Sequence, residues 1–299
     1  MMRIVVCLKQ VAYLYSRMGI DSRGRIDPEG VVFVPNPLDE IALEEALRIK
    51  QRSDQAEITL ISMGPPRVEE ALRYGLAMGA DRAIHICNEG VENTGPSIRS
   101  NALAKVINTQ GFDLILCGKK AIDDNEGVVG GFIAEALGLP YVGSVTEIVL
   151  EPDGKSARML QVLERGDRQL VECQLPALLS VGRGLTRPRY PTLKGRLTAV
   201  KKEVLKADSQ ELGISLLSKG NPETKIAKLS ILRPKPKKIF TPNSSLSAQE
   251  KIKLMMSGGL AEKKSHFLKG SYQELAKQFI DFLEENRIIR KRRGTGETS

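Results

Sequence analysis

Up to about residue 140, short apolar runs alternate with stretches whose apolar positions recur at helical spacing. Residues 4–8, 58–63, 83–87 and 114–117 are compact and nearly continuous in their apolar character, as strands are when both faces of a parallel sheet are covered. Residues 39–51, 67–78, 96–109 and 128–137 carry the helical pattern. The order β-α-β-α-β-α-β-α predicts a doubly wound, mainly parallel α/β sheet with right-handed crossovers.

Three segments depart from that rhythm. Residues 13–34 hold Gly19, Gly24, Pro28 and Gly30 ahead of a short apolar patch, which predicts a small hairpin-like excursion. Residues 145–150, 158–164, 168–175 and 178–181 read as strands separated by the turn signals Asp153-Gly154 and Gly166-Asp167, a meander of antiparallel strands added to the sheet. Beyond Arg183, Pro188, Pro191, Pro222, Pro234, Pro236 and Pro242 punctuate a polar, basic stretch with few periodic segments, expected to wrap another surface as an extended arm. Residues 271–289 restore helical periodicity, with Leu275, Phe279, Phe282 and Leu283 on one stripe. The expected organisation is an α/β sheet domain with an antiparallel strand extension over 1–183, a partner-wrapping arm over 184–240, and a C-terminal extension with an amphipathic helix over 241–299.

Composition narrows the class. With 41% hydrophobic and 27% charged residues in 299, the chain is an ordinary globular one. No apolar stretch approaches the ~20 residues of a membrane span, and the run after Met1 is too short for a signal peptide and reads as a first strand. The expectation is a cytoplasmic, not membrane-spanning, protein. Cys7, Cys87, Cys117 and Cys173 are far apart without metal-ligand spacing, as reduced thiols are. The net charge of +9 arises mostly after Arg183, at Arg187, Arg189, Lys194, Arg196, Lys201, Lys202, Lys235, Lys237, Lys238 and residues 290–293. With 4% aromatics, no Trp and no recognisable binding motif, this charge reads as solvated surface and partner contact, with no nucleic acid.

In an open parallel sheet, ligands bind beyond the carboxyl ends of the strands. Residues 117–131, Cys-Gly-Lys-Lys-Ala-Ile-Asp-Asp-Asn-Glu-Gly-Val-Val-Gly-Gly, leave a strand and enter a helix there. Gly118 permits a close backbone approach, and the helix beginning near Gly127 offers free N–H groups to a phosphate. Lys119 or Lys120 can add a point charge, and Asp123 or Asp124 can accept from ribose hydroxyls or an adenine amino group. The Gly-Lys pair is not followed by Ser or Thr, and the Gly-x-Gly-x-x-Gly spacing is missing, so neither common phosphate motif applies. A glycine-bearing loop with surface charges explains the same residues equally well. At residues 35–40, Asn36 suits an N-cap, Pro37 the first helical position, and Asp39 and Glu40 the helix dipole. A well-capped helix accounts for all of them; a ligand there would meet this loop through a base or sugar. His85 and His266 have no partner at ligand spacing, Ser257-Gly258-Gly259 reads as a turn, and no catalytic constellation suggests itself, which favours a carrier or binding protein.

Four ordered stretches resemble electron transfer flavoprotein beta subunits: 34–46 (Val-Pro-Asn-Pro-Leu-Asp-Glu-Ile-Ala-Leu-Glu-Glu-Ala), 76–85 (Leu-Ala-Met-Gly-Ala-Asp-Arg-Ala-Ile-His), 117–124 and 187–193 (Arg-Pro-Arg-Tyr-Pro-Thr-Leu). The resemblance covers roughly residues 3 to 240 and implies a Rossmann-like domain related to adenine nucleotide alpha hydrolases. It implies a heterodimer with an alpha subunit that holds a redox-active FAD. Such a complex is an electron carrier rather than an enzyme, taking electrons from acyl-CoA dehydrogenases or a related donor to a quinone-linked or other oxidoreductase. In this subunit the resemblance implies AMP, or a second FAD where the complex bifurcates electrons from NADH. The nucleotide would meet Cys7, Asn36, Pro37, Leu38, Asp39, Met63, Gly118, Ile122, Asp123, Asp124, Asn125 and Gly127, with its phosphate near Val128, Val129 and Gly130. Leu193 would anchor the loop that docks on dehydrogenases, beside Tyr190, with Lys194, Arg196, Lys201 and Lys202 steering an acidic partner. Members usually carry Gln or Thr just before the phosphate-binding glycine, where this chain has Val128-Val129. Beside this stands a reading from another class, a non-redox adenine-nucleotide-binding module, which a complete triphosphate loop would mark.

Overall fold

The computed structural model describes residues 1–13, 19–20, 26–27, 31–53, 55–87, 95–208, 245–256 and 269–285. They belong to two compact units, Met1–Ile231 and Leu232–Ser299. The first unit runs β1 (Met2–Cys7), β2 (Gln10–Ala12), β3 (Gly19–Ile20), β4 (Ile26–Asp27), β5 (Phe33–Pro35), α1 (Pro37–Ser53), β6 (Ala56–Gly64), α2 (Val68–Met78), β7 (Arg82–Cys87), α3 (Pro96–Gln110), β8 (Leu114–Gly118) and α4 (Val129–Leu137). It continues with β9 (Tyr141–Leu150), β10 (Ser156–Val162), β11 (Arg168–Gln174), β12 (Ala177–Val181), α5 (Leu193–Lys201) and β13 (Val204–Asp208).

One nine-stranded sheet carries this unit, in the order β11-β10-β9-β12-β8-β1-β6-β7-β13. Every pairing from β9 across to β13 is parallel. This is the expected mainly parallel α/β sheet, and the excursion is the expected hairpin-like element: β2 pairs antiparallel with β5, and β3 with β4. Along β1 the side chains alternate between two cores. Ile4 and Val6 join Leu43, Leu60, Leu72 and Leu116 on one face, while Val5 joins Ile61, Ile107, Ile115 and Ile133 on the other. Burial of each such side chain contributes about 1.5–3 kcal/mol, which is why the strands read as unbroken apolar runs.

Two expectations need correction. The antiparallel meander comprises β9, β10 and β11 only; β12 returns into the sheet and lies parallel between β8 and β9. Its five residues are all buried, so it needs neighbours on both sides, whereas β11 is mostly exposed and suits the edge. The stretch beyond Arg183 also holds more structure than its pattern suggests, because α5 and the edge strand β13 both pack on this unit. Of the residues in α5, Ala199 alone is buried, so the helix leaves no amphipathic signature.

Local chemistry explains several joints. Helix α1 has Pro37 in its first turn with Asp39 and Glu40, and Lys50 and Arg52 in its last. Gly79, with φ of 132°, ends α2. Asp81 then accepts from the Ile58 amide at 2.8 Å and pairs with Lys50 at 2.5 Å, pinning the turn into β7 against β6 and α1. In the second unit α6 (Ala248–Met256) and α7 (Tyr272–Glu285) each begin with a capping box. The Ser247 amide donates to Glu250 at 2.9 Å and that of Ser271 to Glu274 at 2.9 Å. Helix α7 is the expected terminal helix; α6 was not expected from the sequence. Residues 209–244, 257–259, His266 and 286–299 lie outside the described residues. Among the described residues no helix is long and apolar enough to cross a membrane, and no cluster of side chains could hold a metal ion.

Candidate functional site

The carboxyl ends of β1 and β8 are joined by side chains from the start of α1. Asp39, 5% exposed, accepts hydrogen bonds from the Lys9 amide through Oδ2 and the Gly118 amide through Oδ1, each at 2.8 Å. Burial raises its pKa to about 6, against the lowering effect of these two amides, Asn36 and the Lys9 charge. Asn36 takes the N-cap place through its backbone, its carbonyl accepting from the Asp39 and Glu40 amides. Its side chain does something else: Nδ2 donates to the Lys120 carbonyl at 3.1 Å and Oδ1 accepts from the Ile122 amide at 3.3 Å. The side-chain cap expected of Asn36 is therefore a cross-chain tie. A Cβ at Gly118 would come within 2.5 Å of Asp39 Oδ1 and 2.7 Å of Leu38 Cβ, so glycine is required where strand and helix meet.

The loop over 119–128 is held by cations that the sequence did not single out. Lys9 Nζ lies 2.8 Å from Asp123 and 2.7 Å from Asp124. Arg99, from the first turn of α3, lies 2.8 Å from Glu126 and 3.5 Å from Asp124. Burial works against the Asp124 charge, but the hydrogen bond and charge of Lys9, the Glu126 amide and Arg99 outweigh it and lower its pKa. A lysine directly after a buried strand and an arginine entering a helix have no motif of their own, so only the fold reveals them. Asn125, with φ of 56°, and Gly127, with φ of 69°, turn the chain into α4. Val128 supplies no side-chain cap to that helix, whose first N–H groups have no intrahelical acceptor.

Beneath this loop sit Cys7 and Cys117, both buried. Burial, with a further contribution from Asp39, pushes the Cys7 thiol up to about 12, and burial likewise raises that of Cys117. These are inert packing groups. A Cβ at Gly130 would lie 2.9 Å from Cys117 Sγ and 3.3 Å from the Tyr141 ring, so α4 sits tightly on β8. Met63 lies at the end of β6, on the far side of β1, and packs with Ile98 and Ala102 of α3. Ile122 also lines a cleft of about 570 Å³ with Pro37, Glu40, Tyr74 and Arg183. The fold thus gathers Cys7, Asn36, Pro37, Leu38, Asp39 and 118–130 at one edge, with Met63 one strand beyond. The side chains of Lys119 and Lys120 are exposed.

The residues expected to meet a partner form a separate surface. Arg189 makes a bidentate pair with Glu44 of α1, Nε and Nη2 each 2.8 Å from a carboxylate oxygen. Burial disfavours the Glu44 charge, but Arg189 more than compensates and lowers its pKa. Beyond this clamp, Tyr190 and Leu193 are 89% and 75% exposed. Leu197 and Val200 continue an exposed apolar stripe along α5, between Lys194 and Lys201. Arg196 shares the helix. Leu197 and Val200 were not singled out from sequence, although their spacing from Leu193 was visible.

A mainly parallel α/β sheet with a glycine-bearing loop and helix start at its carboxyl edge places the chain in the class of open-sheet α/β folds, whose ligands bind at that edge. Known proteins narrow it. A profile of the Electron transfer flavoprotein domain matches residues 24–212. The Electron transfer flavoprotein subunit beta of Thermoanaerobacterium thermosaccharolyticum is 35% identical, over 86% of this chain and 98% of its own. The proteins of that name from Clostridium acetobutylicum and Megasphaera elsdenii are 37% and 35% identical, over 77% and 81% of this chain and 88% of each of theirs. The chain belongs to the electron transfer flavoprotein family, on its beta-subunit branch.

Proposed function

We propose that this chain pairs with an electron transfer flavoprotein alpha subunit to form a heterodimeric, cytoplasmic electron carrier. FAD held with the alpha subunit takes electrons from acyl-CoA dehydrogenases or a related donor and passes them to a quinone-linked or other oxidoreductase. This subunit contributes an adenine-nucleotide site and the partner-docking surface and is not itself a catalyst. The observation that carries the nucleotide reading is the convergence of Asn36, Asp39 and Gly118 on the loop that leads into the uncapped start of α4. A nucleotide there would meet the backbone of 122–130, with its phosphate by Val128 to Gly130. Because the polar atoms of Asn36 and both oxygens of Asp39 already bond to the protein, these residues shape the site. Free thiols at all four cysteines are in keeping with a reducing compartment.

The docking reading is supported by the stripe Leu193, Leu197 and Val200, flanked by lysines and projecting from a clamped helix. Such a patch suits a partner with an apolar pocket and an acidic rim. Residues 1–183 would then be the nucleotide scaffold, 184–240 the partner-facing part and 241–299 an extension.

Co-expression with the alpha subunit, heat release of ligands and chromatography test this. One FAD and one AMP per heterodimer is the expected result. Two FAD would indicate an electron-bifurcating complex that oxidises NADH, and neither nucleotide would remove the functional reading. Leu193→Ala should slow reduction by the dehydrogenase with flavin content unchanged; native rates with every donor would dismiss its docking role.

A further inference from the structure

We propose that Arg99 is a phosphate-binding residue of the loop between β8 and α4, and that Glu126 competes with the ligand's phosphate for its guanidinium. The inference rests on the adenine-nucleotide reading of this loop and names the side chain that would recognise the phosphate.

Asp123, Asp124 and Glu126 face two cations, Lys9 and Arg99, through ion pairs of 2.7 to 3.5 Å. This ion-paired cluster therefore carries one more negative than positive charge; Lys119 and Lys120, in the same loop, are exposed and appear in none of these pairs. A phosphate dianion at the start of α4 adds to that excess unless a cation is released to it. Lys9 cannot be released cheaply, since it holds two carboxylates at 2.8 and 2.7 Å. Arg99 has a single short ion pair, with Glu126 at 2.8 Å, and its contact with Asp124 is longer at 3.5 Å.

Arg99 is also placed and equipped for the exchange. Its neighbour Ser100 donates to the Val129 carbonyl at 3.3 Å, so the first turn of α3 lies against the first residue of α4. The guanidinium is largely enclosed, 18% exposed, and its Nε is buried without a hydrogen-bond partner. Only the two Nη atoms are in use. Nε and Nη2 together form the side-on edge with which arginine grips an oxyanion bidentately. Glu126, 36% exposed, can turn out to water when displaced. One anion replaces another on the same guanidinium, and the charge balance of the loop changes least by this route.

Titration calorimetry of the heterodimer freed of its nucleotide, with AMP and with adenosine, tests the competition. If Glu126 competes, Glu126→Gln tightens AMP binding by several-fold and leaves adenosine unchanged. Arg99→Gln weakens AMP by about tenfold or more, as loss of a charge-assisted pair does, and brings it close to adenosine. The double variant behaves as Arg99→Gln alone. Should the pair merely brace the loop, Glu126→Gln would weaken both ligands together or change neither, and that result overturns the proposal. FAD content and thermal midpoint report whether Arg99→Gln folds; where it does not, the sign of the Glu126→Gln effect decides. A parent heterodimer that binds neither AMP nor adenosine removes the nucleotide reading and this inference with it. Binding by the parent with no AMP-specific gain in Glu126→Gln removes this inference alone.

Discussion

The guanidinium of Arg73, on α2, places Nη1 3.0 Å from the carbonyl oxygen of Ala199 and 3.2 Å from that of Val200, closing the C-terminal end of α5. Its Nε and Nη2 are held by Glu69, one turn earlier on α2, at 3.1 and 2.6 Å. An ion pair within one helix thus aims the cap of another, where only the Lys202 amide, 3.3 Å from the Ala199 carbonyl, otherwise closes the last turn and a cation is favoured. Lys202 Nζ adds a bond to the Ala80 carbonyl at 2.7 Å, and a Cβ at Gly195 would collide with the Ala77 carbonyl. Helix α5 is therefore fixed by backbone contacts and polar ties, which leaves its apolar side chains free to face outward.

Arg73→Ala should loosen that end of α5. The expected loss of stability is about 1–3 kcal/mol, as for a charged donor removed from half-buried acceptors, read by urea unfolding. Electron transfer from the dehydrogenase should slow while FAD content stays constant. An unchanged transfer rate in a destabilised variant would separate α5 from docking.

Leu197→Asp should show the opposite balance. Leu197 is 62% exposed, and substitutions at such places usually change stability by no more than about 0.5 kcal/mol. An acidic residue in the middle of the stripe should nevertheless weaken docking on an acidic partner, seen as a raised KM for the heterodimer in dehydrogenase assays.

Gly118→Ala should damage the loop over 119–128 before the rest of the fold. The added Cβ would crowd Asp39 Oδ1 at 2.5 Å and Leu38 Cβ at 2.7 Å, so Asp39 must give up the Gly118 amide or the strand end must shift. Overpacking of this kind costs about 1–3 kcal/mol. With the nucleotide role proposed for this loop, purified variant should release less AMP than the parent on heating, by chromatography, while the alpha-subunit FAD remains.

Asp39 should give the stability a distinct pH dependence. Its unfolded pKa is about 3.9 and its folded value is about 6, raised by burial. Folding therefore takes up a proton between these values, and the Asp39 contribution falls as pH rises through that window. The full cost, about 3 kcal/mol for a shift of this size, is present above the folded pKa. Asp39→Asn removes the titration and loses one of the two amide bonds, so it should be less stable than the parent at low pH and recover relative to it as pH rises. Chemical unfolding of both proteins across the window checks this; a difference that does not vary with pH would mean that Asp39 does not titrate there.

The alternation of strands and helices was legible because burial on both faces of the sheet dictates unbroken apolar runs, and one-sided burial dictates helical spacing. The position of the candidate loop was legible too, since a glycine after a strand and before a helix marks the carboxyl edge of such a sheet. Four ordered stretches carried the family. What sequence could not state was which distant groups meet. Asn36 looked like a local cap, yet its side chain bonds 84 and 86 residues away, and Asp39 reaches Gly118 across 79. Lys9, just past β1, and Arg99, on α3, reach the loop, β12 takes an interior position, and α5 is held by Arg73, the close approach at Gly195 and a single small buried side chain, Ala199. Periodicity and capping are local properties, written within a few residues; ion pairs, register and close backbone approach arise only when the sheet brings remote segments together.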